Sequence, residues 1–314
     1  MARSGAPAVE TTAAEYSAPA RTKPGGARAA WALLRETFTA WNEHKAPKMG
    51  AALAYYTTFS LAPLLVIVVG VVSLVIKQDK ARAEIVAQFS DLVGKEGGAT
   101  VNTILSQAAS QDTGLWATLI GLAVLLVGAS AVFAELQDSL NTIWEVPARA
   151  RDWSALIRDR IISFALVFTL GFLVLVSLLL SAGVAALGAL MKDRVPGFDA
   201  VWEGANSLVL FAVVTLLFAA LFRFLPDIKI AWRDVWTGAG LTAALFIVGK
   251  FLLGFYIGHS AFASAYGAAG SLIIVLVWVF YSAQIFFFGA EFTRAFARRH
   301  GSLCGKPPEV KNAA

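Results

Sequence analysis

One cysteine, three histidines and few charges are what this chain has least of, and each scarcity removes a class of chemistry. A lone Cys304 rules out an intrachain disulfide and any cysteine-built metal site. The histidines, His44, His259 and His300, are far apart in sequence, and the orientation argued below puts the first and last on one side and His259 on the other, so they cannot converge on one metal. The chain also lacks an H-E-x-x-H pair, a Walker A lysine loop and a G-x-S-x-G elbow. No polar stretch is long enough to form an ATP-hydrolysing domain. Only 15% of residues are charged, fewer than a soluble domain of this size carries.

Apolar residues fill that space, at 58% of the chain with a mean hydropathy of +0.67. A helix rises about 1.5 Å per residue, so crossing a ~30 Å hydrocarbon core takes about 20 apolar residues. Six stretches qualify: 49–76, 115–134, 161–190, 202–222, 234–258 and 268–290. The expected fold is therefore all-α, a polytopic membrane protein with six transmembrane helices. Basic residues give the orientation. Nineteen Lys and Arg fall in the N-terminal segment, the second and fourth loops and the tail, against six in the other loops. The positive-inside rule then predicts cytoplasmic termini. The formal charge of +5 reads as this topology signal plus attraction to anionic membrane lipids. The basic residues are scattered over short loops, which argues against a nucleic-acid partner.

Residues 1–30 are rich in Ala, Pro and Gly without an apolar core, which predicts a disordered cytoplasmic tail rather than a signal peptide. Trp31, Leu34, Phe38 and Trp41 then recur at helical spacing, as in a short helix lying on the inner membrane surface. Pro47 favours a break before the first span. The first outer loop, 77–114, carries two amphipathic runs (Ile85, Phe89, Leu92, then Val101, Ile104, Leu105, Ala108) parted by Gly97 and Gly98, and reads as two short interfacial helices. Residues 31–299 form the membrane domain in this reading, and 300–314 a second disordered tail. Small-residue pairs that would let helices approach are Gly50 with Ala54, Gly254 with Gly258, Gly267 with Ser271, and Ser177 with Ser181. Pro63, inside the first span, predicts a kink.

An ionisable group at bilayer depth costs about 2.5–3.5 kcal/mol on insertion scales, so each calls for a reason. Lys250 lies eight residues, about 12 Å, below Gly258. Two readings stay open: snorkelling of its ammonium to the outer interface, with Asp79 or Glu84 as partner, or a cation awaiting an anionic substrate group. Glu135, Asp138 and Thr142 share one helical face at the inner end of the second span, as an emerging amphipathic helix or a polar mouth. Tyr281, Gln284 and Glu291 share a face of the last span, and Tyr55 gives the first an uncommon polarity. Lys250, Tyr55, Tyr281 and Gln284 are the candidate substrate-binding residues. Glu135, Asp138 and Glu291 are the candidates for proton titration or a polar mouth. No catalytic residue, metal site or cofactor is expected.

Four runs in order carry a resemblance: AALAYYTTFSLAPLL (51–65), GASAVFAELQDSLNTIWEV (128–146), FRFLPDIKIAWRDVWTGA (222–239) continuing to GKFLLGFYI (249–257), and YGAAGSLIIVLVWVFYSAQIFFFGAEFTR (266–294). Together they resemble the YihY/BrkB family of bacterial inner-membrane proteins from about Trp31 to Arg299. The resemblance implies six membrane helices. It also brings a ribonuclease BN label at odds with the residues here, since a metal-dependent nuclease needs a His/Asp cluster. Other members are associated with serum resistance or with export of lipid-linked material. The leading expectation is a transporter or exporter of an amphipathic, lipid-like anionic substrate, without its own ATPase and open to homo-oligomer formation. The alternatives are a membrane scaffold supporting envelope integrity and, least favoured, a ribonuclease.

Overall fold

The computed structural model describes residues 26–72, 77–93, 95–109, 115–146, 198–259 and 268–305. Among these residues there are eight helices and no strand: α1 (Gly26–Glu43), α2 (Ala46–Val72), α3 (Gln78–Val93), α4 (Lys95–Ala109), α5 (Leu115–Ile143), α6 (Phe198–Phe224), α7 (Trp232–His259) and α8 (Ala268–Arg299). Among the described residues, three stretches are long and apolar enough by this measure to cross a membrane: Ser207–Phe224, Trp232–Tyr256 and Leu272–Arg299. Helices α2 and α5, of 27 and 29 residues, coincide with two more expected spans. The span expected at 161–190 lies outside the described residues, as do Ser177, Ser181, Gly267 and the chain before 26 and after 305.

Helix α8 is central, with α2 on one side and α7 on the other. Helix α5 packs on α2, and α6 on α7. The main core lies at the end where α1 crosses. There Leu140, Ile143 and Trp144 meet Phe222 of α6, Leu225, Ile228 and Ile230 of the next loop, and Phe286, Phe287 and Ala290 of α8. That loop is tied to α5 by one side chain. Asp227 accepts from Asn141 Nδ2 at 2.9 Å and Gln137 Nε2 at 3.3 Å, and its backbone N–H donates to Asn141 Oδ1 at 2.9 Å. Residues 300–305, expected to begin a disordered tail, form a turn in which Ser302 donates through N and Oγ to the buried Asp234 of α7.

The α7–α8 crossing rests on a reciprocal motif. Gly238 of α7 lies against Thr293 of α8, and Gly289 of α8 against Thr242 of α7. Each threonine hydroxyl donates to the glycine carbonyl four residues back on its own helix, at 2.7 Å. The polar atom is thereby satisfied locally, and the rest of each side chain covers the facing glycine. Without water to drive apolar association, such close backbone approach is what membrane helices have to gain from. Gly50 packs on Gln284 and Ala283, and Gly128 of α5 on Ser60 of α2. Gly254 meets nothing within 4 Å among the described residues.

Two short helices stand where the first outer loop was expected to form them. α3 and α4 form a hairpin whose Phe89, Val101 and Leu105 bury against Leu65 and Val69 of α2. Phe89 also reaches Leu253 of α7 and Ile274 of α8. Arg82 closes the hairpin through Asn102, donating to its side chain at 2.8 Å and its carbonyl at 3.1 Å. The α1 stripe divides: Trp31, Leu34 and Phe38 are exposed, while Trp41 turns onto the core and Leu33, Thr37 and Ala40 are buried.

Replacing Gly289 by Val forces a branched side chain into Thr242. We expect a loss of about 1–3 kcal/mol, the usual range for overpacking. Thermal unfolding in detergent measures it, with Gly254→Ala expected to leave the transition unchanged.

Candidate functional site

The residues singled out in the sequence separate into three places. Lys250 and Tyr281 come together, lining a groove between α7 and α8 with Phe246, Trp278 and Ser282. The groove is tight, without enclosed room for a water. Beside it Phe251, Leu252, Phe255 and Tyr256 of α7 are exposed. Lys250 Nζ sits 5.6 Å from the Phe251 ring centroid. Asp79 and Glu84 make no ion pair with it. Tyr55 is not part of this groove: it is exposed on α2 with Tyr56 and Phe59. Gln284 faces the opposite way, toward Gly50 of α2, and neither its amide oxygen nor its nitrogen has a hydrogen-bond partner among the described residues.

Glu135 is half-buried and Asp138 exposed on α5, and neither is brought to Glu291. Among the described residues no three His, Cys, Asp or Glu side chains gather as metal ligands would.

Glu291 is the centre of the third place. Its side chain is 0% exposed. His44 Nδ1 lies 2.5 Å from Oε1, and Arg294 Nε 3.3 Å from Oε2. Arg294 NH1 pairs with Glu145, which also accepts from Arg298 at 2.9 Å. His44 Nε2 is 3.9 Å from the same Glu145. Five ionisable groups thus join the turn after α1, the turn after α5 and the last turns of α8. Farther along, Glu36 of α1 binds Arg299 at 2.7 Å.

The backbone shows why these turns can deliver their side chains. α5 ends in a Schellman arrangement, with Val146 N–H donating to Asn141 O at 2.9 Å and Glu145 N–H to Thr142 O at 3.0 Å. Its left-handed position, usually glycine, is occupied by Glu145 at φ 54°. Lys45 does the same after α1, at φ 57°. A non-glycine residue there costs about 1–3 kcal/mol, and such strain gathers where a side chain has a task. Sequence reasoning missed His44, Glu145, Arg294 and Arg298. The available signal was that each lies at a helix end on the same predicted side of the membrane.

Comparison with known proteins comes down on the side of the resemblance. The family model for virulence factor BrkB matches residues 37–313. The chain belongs to the BrkB family. Similar proteins include a UPF0761 membrane protein of Chromobacterium violaceum, 30% identical over 257 residues covering 81% of this chain and 59% of that protein. Another, from Ralstonia nicotianae, is 27% identical over 82% of this chain and 57% of its own length. This BrkB-family chain thus spans less than two thirds of the length of either relative. YfkH of Bacillus subtilis, whose name calls it ribonuclease-like, is 25% identical over 85% of this chain and 96% of its own. No solved structure matches. The protein is a membrane protein of this family.

Burial pushes the Glu145 carboxyl up, but the hydrogen bond from Arg298 and the charge of Arg294 outweigh it, so the net shift is downward. A carboxylate held low in the folded state stabilises above its ordinary value and loses that contribution as pH falls through the folded one. The expected outcome is a melting temperature in nanodiscs that falls on acidification below about pH 4.5. Glu145→Gln should lower stability at neutral pH and flatten that acid limb. An unchanged acid limb counts against the cluster as a stabilising element.

Proposed function

We propose that this BrkB-family protein is a six-span inner-membrane protein with cytoplasmic termini that moves an anionic, lipid-like substrate and does not itself hydrolyse ATP. Lys250 carries the reading. It is a half-buried cation with no acidic partner among the described residues, on a helix long enough to cross the bilayer, at a groove edge flanked by exposed Phe251, Leu252 and Phe255. A phosphate or carboxylate head meets the ammonium at the groove's rim, and the chains lie along the apolar α7 face. Tyr281 and Ser282 supply hydroxyls on the α8 side. The tightness of the groove means that a head group enters only as α7 and α8 part. Drive then comes from an ion gradient or from the substrate's own gradient.

A scaffold role is the second reading, favoured by the dense packing of Trp144, Phe222 and Phe287 and by the α3–α4 hairpin sealed onto three other helices. A nuclease role is not proposed. The ribonuclease-like wording belongs to YfkH by name, and Glu135 and Asp138 lack a third ligand among the described residues.

Native mass spectrometry from lipid nanodiscs separates the readings. Transport predicts a co-purifying anionic lipid in the wild type that is lost in Lys250→Ala and kept in Lys250→Arg. An identical lipid complement in all three proteins moves the account to the scaffold.

A further inference from the structure

We propose that His44 and Glu291 form a proton-binding relay, in which the imidazole carries a proton between the exposed end of the cluster at Glu145 and the buried Glu291 carboxylate. The cluster is graded in exposure. The Glu145 side chain is 49% exposed, His44 17% and Glu291 0%. The imidazole uses a different nitrogen toward each carboxylate: Nδ1 at 2.5 Å from Glu291, Nε2 at 3.9 Å from Glu145. A group that accepts at one nitrogen and donates from the other is what a proton shuttle requires, and imidazole changes charge between about pH 5 and 8 in its ordinary state.

The arginine is placed to leave that role to the histidine. A buried pair built only for cohesion is met by a forked guanidinium. Arg294 instead commits NH1 to Glu145, and its Nε approaches Glu291 Oε2 at 3.3 Å without the alignment of a hydrogen bond. Among the described residues, the one hydrogen bond to the Glu291 carboxylate is therefore the one to His44. Among the described residues, the charged groups facing Glu291 are Arg294 on its own helix with Arg298 a turn beyond, His44 from the α1–α2 turn, and Glu145 from the turn after α5. Helices α2 and α7, packed on α8, add no ion pair to it.

The step balances. In the resting state Nδ1–H donates to the Glu291 carboxylate. A proton from water adds at Nε2, the Nδ1 proton passes to Oε1, and Glu291 becomes the neutral acid. The imidazole is left neutral with its proton on Nε2, and the five groups together have gained one positive charge. The reverse sequence returns the proton to water. That this proton drives the substrate rests on the transport reading above. The relay itself does not.

The test is infrared difference spectroscopy of the full chain in nanodiscs, stepped between about pH 8 and pH 5. The expected result is a carboxylic-acid C=O band that grows on acidification and is absent in Glu291→Gln. In His44→Gln the band should rise more slowly after a pH jump, by on the order of 10²-fold. A band that survives Glu291→Gln, or an unchanged rate in His44→Gln, overturns the relay. Should Glu291→Gln not accumulate, the rate comparison between wild type and His44→Gln decides alone. Lipid retention at Lys250, measured on the same nanodiscs, keeps the two proposals apart: a failed relay with lipid retained leaves the transport reading standing.

Discussion

A carboxylate with no contact with water must be met by a proton, a hydrogen-bond donor or a cation, and much at the α1 end of this protein follows from meeting Glu291. Leaving a buried charge unpaired costs several kcal/mol, more than any single packing contact there supplies. His44 and Arg294 supply the answer, and both are fixed in turn by Glu145. The consequence is architectural. The α1–α2 turn, the end of α5 and the last turns of α8 cannot drift apart without stranding a charge. Two residues accept left-handed backbone conformations at those turns, Lys45 beside His44 and Glu145 itself.

Above that cluster, cohesion has a different source. The Gly238–Thr293 and Gly289–Thr242 contacts hold α7 to α8 by close approach, and Gly50 and Gly128 do the same around α2. The polar cluster and the small-residue crossings thus share α8. It enters the cluster at Glu291, the crossing at Gly289 and Thr293, and the Lys250 groove through Tyr281 and Ser282. A shift of α8 against α7 would be felt at all three.

The described helices were legible in the sequence because apolar length is a local property. Their ends were not. α5 runs on to Ile143 and α8 to Arg299, past the apolar stretches, because Asn141 and Gln137 hold Asp227, and Arg294 and Arg298 hold Glu145. Lys250 stood out as a lone cation in an apolar run, and its groove with Tyr281 followed. Tyr55 lies apart from that groove. Against lipid, small residues turn inward and aromatic ones outward, so on α2 Gly50 and Ala54 face the bundle while Tyr55 faces away. The pairing of His44 with Glu291 spans 247 residues and leaves no local trace. Only the shared membrane side of their helix ends pointed to it.

A double-mutant cycle on His44 and Glu291 tests that pairing most directly, using His44→Asn, Glu291→Gln and the double variant with unfolding free energy in lipid as the readout. Interacting neighbours couple by about 0.5–3 kcal/mol, and the account predicts the upper half of that range because Glu291 is buried. Additive losses, with no coupling between the two sites, would contradict it.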